Sequence, residues 1–267
     1  MSVQRPEQSA PDYVPGHDLL AGKVIVITAA AGAGIGAAVT RRVLEEGARA
    51  VVFSDTHARR LAEAEEELGK EFGADRVRSL VCDVTDESQV AALLDAAEEF
   101  GGVDVMINNA GLGGEVNVLD MTDDQWGKVL DITLNGTFRC VRAAGKRMAK
   151  AGKRGVIINN ASVIGWRAQE GQAHYAAAKA GVMALTRCAA LDVAKHGIRI
   201  NAVSPSLAMH PFLEKVTTPE LLSELKQREA FGRAAEPWEV ANVMVFLASD
   251  YSSYMTGEVV SVSSQHA

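Results

Sequence analysis

Cysteine is scarce in this chain, with three among 267 residues. Cys82, Cys140 and Cys188 stand far apart, each in a stretch that reads as strand or helix. A disulfide framework is excluded, and a reduced cytoplasm is the simple expectation. No apolar run reaches the ~18 residues of a membrane span. Residues 1–19 are polar, carry Pro6, Pro11 and Pro15, and lack the apolar core of a signal peptide; they read as an arm preceding one domain over 20–267. Basic runs are missing too, and the net charge is -7, which argues against nucleic acid and anionic membranes as partners. There is no internal repeat beyond an alternation of strand-like and helical stretches, and no low-complexity linker. Neither His174 nor His210 falls in a metal-ligand spacing, so no metal site is expected and both histidines read as packed or solvated side chains. A chain of this length, as one domain, buries about three-quarters of its unfolded surface.

Apolar strand-like runs are present near 24–28, 50–54, 77–82, 103–107, 155–160, 198–203 and 258–262, and they alternate with helical stretches. Repeated βα units of this kind predict a doubly wound α/β domain, with right-handed crossovers covering both faces of a parallel sheet.

The first unit carries a phosphate-binding pattern. The run Lys23 to Thr28 leads into a loop holding Gly32, Gly34, Ile35 and Gly36, and a helical pattern follows over Ala37–Glu46. Glycines let backbone approach a pyrophosphate, and the free N–H groups of the following helix face its charge. The next apolar run ends at Asp55, about 20 residues beyond the loop, where a carboxylate accepts hydrogen bonds from a ribose 2′-hydroxyl and repels a 2′-phosphate. That favours NAD over NADP. Asp55 as a cap of the helix that follows is the structural alternative. Arg59 and Arg60 keep NADP open, although they lie a turn into that helix. Asp104 to Gly111 is a buried strand ending in two amides and a glycine.

Ser162, Tyr175 and Lys179 carry the chemistry. A free phenol loses its proton near pH 10, so Tyr175 exchanges protons at neutral pH only with help from a nearby positive charge. Lys179 lies four residues on in a predicted helix over Tyr175–Lys195, and residues four apart share a face. Ser162 arrives from another segment to donate to the oxygen whose charge changes. The set suits alcohol oxidation or carbonyl reduction. A Tyr–Lys pair alone is commonly structural; the glycine loop, Asp55 and the amide-ending strand, in this order, set it apart.

With these residues assembled, the chain resembles the short-chain dehydrogenase/reductase family over residues 20–264. Supporting motifs are Asn-Asn-Ala-Gly at 108–111, Cys-Asp-Val at 82–84, Asn-Ala-Val-Ser-Pro at 201–205 and Met-Thr-Gly at 255–257. The resemblance implies a seven-stranded parallel sheet with helices on both faces, with cofactor and substrate meeting at the strand C-terminal ends. It implies Tyr175 as general acid/base, Ser162 orienting the substrate oxygen, and Lys179 lowering the phenol pKa and holding the nicotinamide ribose. Asp83 and Val84 are expected beside the adenine, Asn109, Ala110 and Gly111 beside the ribose, and Pro205 and Ala208 near the nicotinamide. It also implies a homotetramer paired through the helices Leu130–Met148 and Ala176–Leu191.

The departures are specific. The glycine loop is one residue longer than the family's usual spelling, and Ala29 replaces its first glycine. In the predicted helix Trp126–Arg147, Thr133 occupies the place of the family's fourth catalytic residue, an Asn whose backbone carbonyl holds a relay water. A carbonyl survives the change, and a threonine hydroxyl bonding back to its own helix bends it locally, so the relay is expected to persist at Thr133. Ser206 and His210 replace a Gly and a Thr.

The segment from Val163 to His174 is expected to wall the substrate pocket. Trp166 suits a bulky apolar substrate, and Arg167 meets either a substrate anion or Glu170. Residues 207–231 read as a substrate lid. The wording resembles a subgroup of actinobacterial reductases, some labelled 3-oxoacyl carrier-protein reductases and others associated with sterol-ring breakdown as CoA thioesters. The expectation is an NAD(H)-dependent oxidoreductase acting on a small-molecule secondary alcohol or ketone, cyclic or carried as an acyl-CoA thioester. Other readings stand beside it: an NADPH-linked 3-oxoacyl carrier-protein reductase, an epimerase or dehydratase that retains its cofactor, and a non-catalytic dinucleotide-binding protein on the same fold.

Overall fold

A computed structural model describes residues 8–209 and 218–265. His210 and Pro211 lie outside the described residues. The seven apolar runs form β1 Val24–Ile27, β2 Ala50–Asp55, β3 Val77–Val81, β4 Val105–Asn108, β5 Val156–Asn160, β6 Arg199–Pro205 and β7 Val259–Val262. All pair in parallel, in the order β3-β2-β1-β4-β5-β6-β7. Strand order reverses between β1 and β4, which opens a crevice at their C-terminal ends.

The helices are α1 Ile35–Glu45, α2 Ala58–Phe72, α3 Glu87–Glu98, α4 Asp123–Leu130, α5 Gly136–Lys150, α6 Ala173–Val193, α7 Pro219–Arg228 and α8 Pro237–Ala248. Strand side chains alternate between two apolar layers, as the period of two requires. Ile25, Ile27, Val105 and Ile107 point to one side and meet Val39 and Val43 of α1 and Met244 and Val245 of α8. Val24, Val26 and Met106 point to the other, against Leu93 and Leu94 of α3 and Cys140 and Met148 of α5. Each such fully buried side chain contributes about 1.5–3 kcal/mol, and the two layers fix the strand ends where the site lies.

The sequence pattern predicts one helix over 126–147. The structure instead places a π-helical turn at Asp131–Asn135 between α4 and α5, with the Gly136 N–H donating to the Asp131 carbonyl five residues back. Arg139 pairs with Asp131 at 2.9 Å and Asn135 donates to the same carboxylate at 3.1 Å, which holds the extra residue in place.

The stretch before β1 is docked on α1. Glu46, fully buried, accepts from the backbone N–H groups of His17 (2.8 Å) and Leu19 (3.1 Å) and from Arg42 (2.7 Å). Arg42 also donates to the Val14 carbonyl, and Tyr13 donates to Glu45 and meets the Trp238 ring edge-on. Truncating Glu46 leaves a buried guanidinium with only Glu45, 3.6 Å away, as its acid partner. Glu46→Ala is expected to cost about 3 kcal/mol of unfolding free energy, read from urea titration of the wild type and variant; a cost under about 1 kcal/mol would mean the pair is not what docks this segment.

Candidate active site

Ser162, Tyr175 and Lys179 come together from two elements. Ser162 follows β5 in extended backbone and caps the 3-10 turn Val163–Gly165, accepting from the Ile164 N–H at 3.3 Å. Tyr175 sits in the first turn of α6 and Lys179 one turn on, its Nζ 5.5 Å from the phenol ring centroid. Ser162 and Tyr175 line one cavity of about 320 Å³, with Ile35 of the glycine loop, Asn160, Pro205 and Ala208 also on its wall.

Lys179 is 3% exposed and donates to the Asn160 carbonyl at 2.5 Å. Burial lowers its pKa to about 8. Burial also raises the Tyr175 phenol above its ordinary value, and the hydrogen bond with Ser162 opposes that rise. Burial and the Ser162 hydroxyl are thus the two influences on the phenol in this arrangement. The ammonium is itself penalised by burial, and its hydrogen bond goes to Asn160.

Asn160 was not among the residues singled out from sequence. Its Nδ2 donates to Asn109 Oδ1 at 2.9 Å, and Asn109 Nδ2 donates to the Ala29 carbonyl at 2.9 Å. Below this chain, Asn108 Nδ2 donates to Asn159 Oδ1 (2.8 Å), and Asn159 Nδ2 donates to Thr186 (2.9 Å). The signal was present: Asn159-Asn160 repeats, one strand over, the doublet Asn108-Asn109.

Thr133 is fully buried in the π turn. Its hydroxyl does not bond back to its own helix, as the sequence suggested. It accepts from the Leu112 N–H at 3.0 Å and donates to the Leu112 carbonyl at 3.2 Å, tying the loop after β4 to the turn. The Thr133 carbonyl accepts from Thr137 at 2.8 Å. Gly111 lies between the two elements: a Cβ there would come within 3.4 Å of Lys179 Nζ and 3.8 Å of the Thr133 side chain.

The glycine loop fits a dinucleotide. A Cβ on Gly32 or Gly34 would meet nothing within 4 Å, so the loop is open on that side. A Cβ on Gly36 would lie 2.2 Å from the Ala29 carbonyl, so only glycine fits there. The Gly34 N-cap has no side-chain cap and α1 has no acid in its first turn, leaving its leading N–H groups to an anion. Ala29 takes φ +53°, the region its missing glycine would favour, and Thr28 Oγ1 accepts from the N–H groups of Asn109 and Ala110, both at 3.0 Å. The buried Asn160 Oδ1 has no partner among the described residues.

Asp55 ends β2 without capping α2; its Oδ1 faces the His57 N–H at 3.1 Å and His57 Nδ1 at 3.0 Å. Arg59 points along its helix to Glu63 at 3.7 Å. Asp83 accepts from Thr85 N–H and hydroxyl at 2.9 and 2.8 Å, while Val84 packs on Gly136. On the substrate side, Ala208 bridges Ala235, and α7 occupies the described half of the expected lid. Trp166 is half exposed, and His174 is 3% exposed, its Nδ1 accepting from the Tyr175 N–H at 2.9 Å. Arg167 does not pair with Glu170; it donates to Gln265 Oε1.

A family model described as enoyl-(acyl carrier protein) reductase matches residues 29–264. The chain is 60% identical over 258 residues to a (5R,7aS)-5-hydroxy-7a-methyl-1-oxo-2,3,5,6,7,7a-hexahydro-1H-indene-carboxyl-CoA reductase of Mycobacterium tuberculosis, covering 96% of this chain and 98% of that protein. It is 39% identical over 251 residues to a cis-4-hydroxycyclohexanecarboxylate dehydrogenase of Sinomonas cyclohexanicum, covering 92% and 96% of the two. A crystal structure of a short chain dehydrogenase from Mycobacterium smegmatis superposes with a TM-score of 0.85 at 55% identity, over 97% of this chain and 99% of that one. The chain belongs to the short-chain dehydrogenase/reductase family. Within it, this is an oxidoreductase acting between a secondary alcohol and a ketone.

Thr133→Val keeps the side-chain shape and leaves the Leu112 N–H and carbonyl without their partner. Chemical denaturation is expected to show a loss of about 1–3 kcal/mol, with turnover reduced only modestly. Complete loss of turnover in a folded variant would show that the hydroxyl itself takes part in the reaction.

Proposed function

We propose that the enzyme uses NAD(H), and that its substrate is a cyclic alcohol or ketone carried as a CoA thioester. The observation that carries the reading is the convergence of Ser162 and Tyr175 on one cavity beside the glycine loop, joined to the close likeness to a carboxyl-CoA reductase. When bound, the nicotinamide dinucleotide supplies or takes the hydride.

Ser162 and Tyr175 hold the substrate oxygen between two hydroxyls. In the reducing direction Tyr175 gives its proton to that oxygen, and the burial that raises its pKa keeps the proton available. In the oxidising direction the same phenol must first lose a proton, and Lys179, ionised below about 8, offsets the charge. The Asn160 carbonyl holds Lys179 in place, and the Thr133 carbonyl borders the path by which the proton leaves. Gly32, Gly34, Ile35 and Gly36 receive the pyrophosphate over α1. Asp55 takes the adenosine ribose, Asp83 and Val84 flank the adenine, and Asn109, Ala110 and Gly111 border the ribose nearer the nicotinamide. Pro205 and Ala208 meet the nicotinamide end.

Asp55 supports NAD over NADP because its carboxylate repels a 2′-phosphate, and Arg59 is engaged with Glu63. The partners are one small-molecule substrate and further copies of the chain. A homotetramer is supported by the apolar outer faces of α5 and α6, where Phe138, Leu185, Cys188 and Ala189 line a groove of about 410 Å³ and Leu191 stands 77% exposed. No described helix is long and apolar enough to cross a membrane; with three free cysteines, the expected location is the cytoplasm. Residues 20–267 form the catalytic domain.

The test is reduction of a panel of cyclic ketones, as CoA thioesters and free acids, followed at the cofactor absorbance with NADH and NADPH in parallel. NADH is expected to be preferred by at least roughly tenfold in kcat/KM, the scale of one repelled charge in the pocket; equal use of both cofactors overturns the NAD assignment, and turnover of the free acids alone overturns the thioester. Tyr175→Phe is expected to abolish turnover while cofactor affinity, measured by fluorescence titration, changes little. Retained turnover would refute the role of the phenol.

A further inference from the structure

We infer that Gln265 reads a neutral carbonyl on the substrate, and that the charges its amide bridges favour a thioester over a free carboxylate; this rests on the CoA-thioester reading above. Gln265 stands on the wall of the cavity that holds Ser162 and Tyr175. Its two polar atoms are engaged from opposite sides. Oε1 accepts from Arg167 Nη1 at 2.5 Å, and Nε2 donates to Glu229 Oε1 at 2.9 Å. Arg167 makes no ion pair with any described carboxylate, so this amide is what holds it.

Glu229 is 1% exposed, a buried carboxylate. Its Oε2 accepts from Ser264 at 2.9 Å and its Oε1 from the Leu207 N–H at 3.3 Å. Backbone bonds fix the same place: Ala230 N–H donates to Ser264 carbonyl at 2.8 Å, and Ser206 N–H donates to Val262 carbonyl at 3.2 Å. Gln265 is thereby clamped between a cation and an anion.

Two consequences follow from chemistry. A glutamine amide has two N–H donors, and Glu229 takes one, leaving the other for a ligand. A guanidinium on the amide oxygen polarises the group and strengthens that remaining donor. The cluster is also neutral in sum, Arg167 balancing Glu229. A thioester carbonyl needs only a donor. A carboxylate placed there would face Glu229 one amide away, with Arg167 already committed.

The experiment uses the full chain and three ketones alike except for one group: a carboxyl-CoA thioester, the free carboxylate, and the analogue with no carboxyl. Gln265→Met keeps the length and removes the amide. Its kcat/KM on the thioester is expected to fall roughly tenfold, the scale of one lost hydrogen bond, through KM, and to fall at least threefold further than on the carboxyl-free ketone. Two charge variants should move the acid in opposite directions. Glu229→Gln leaves Arg167 unbalanced and raises free-acid turnover relative to thioester, whereas Arg167→Gln lowers it.

Unfolding midpoints are measured alongside. Parallel losses on all three ketones, or shifts of one sign in both charge variants, make Gln265 a structural clamp between Arg167 and Glu229 and overturn the inference, while the reductase reading stands. Wild-type turnover of the carboxyl-free ketone with no preference between thioester and acid does the same. No turnover of any of the three removes the proposed substrate class and this inference with it.

Discussion

The placement of one buried ammonium governs the site. Lys179 is almost wholly out of water, and the structure holds it there with a hydrogen bond to a single backbone carbonyl, that of Asn160. Burying a cation is costly unless its donors are met, and here burial lowers its pKa to about 8. The lysine is therefore poised to lose its charge just above neutrality. Its position is inherited: Asn160 is tied to Asn109, Asn109 to Ala29, and Ala29 sits against the first turn of α1. The proton-handling end and the phosphate-binding end of the crevice thus share one chain of amides across the ends of β1, β4 and β5.

That chain explains why the loop departure at Ala29 is tolerated. A left-handed alanine costs roughly 1–2 kcal/mol. The conformation turns its carbonyl toward Asn109 Nδ2 and toward Gly36, where no side chain fits. Relaxing the backbone would leave the partly buried Asn109 amide without this acceptor, a penalty of about 1 kcal/mol or more. The strain and the hydrogen bond stand or fall together.

Much of this was legible in the residues. The seven strands lie within two or three residues of the apolar runs, because a fully buried parallel strand has to be apolar on both faces. Tyr175 and Lys179 were placed by helical spacing, and the glycine loop by its strand–loop–helix context. The parts that were not legible are those set by distant contacts. The motif Asp-Ile-Thr-Leu-Asn at 131–135 suits an α-helix as well as a π turn; Arg139 and the loop at Leu112 decide between them. Arg167 was weighed against Glu170, three residues away, and its partner lies 98 residues on. The burial that raises the Tyr175 phenol is a property of the assembled cavity, which local spacing does not carry.

The same contrast bears on how the enzyme is tuned. A phenol raised by burial and an ammonium lowered by burial are both pushed toward neutral forms. A neutral Tyr175 is a proton donor, the form from which reduction of a carbonyl starts. Oxidation asks for a phenolate in a dry cavity, and the groups on hand to stabilise it are the Ser162 hydroxyl and a lysine whose own proton is loosely held. The two directions thus call on opposite protonation states of one phenol: reduction starts from the neutral form that burial favours, and oxidation starts from the phenolate that Ser162 and a charged Lys179 would have to stabilise.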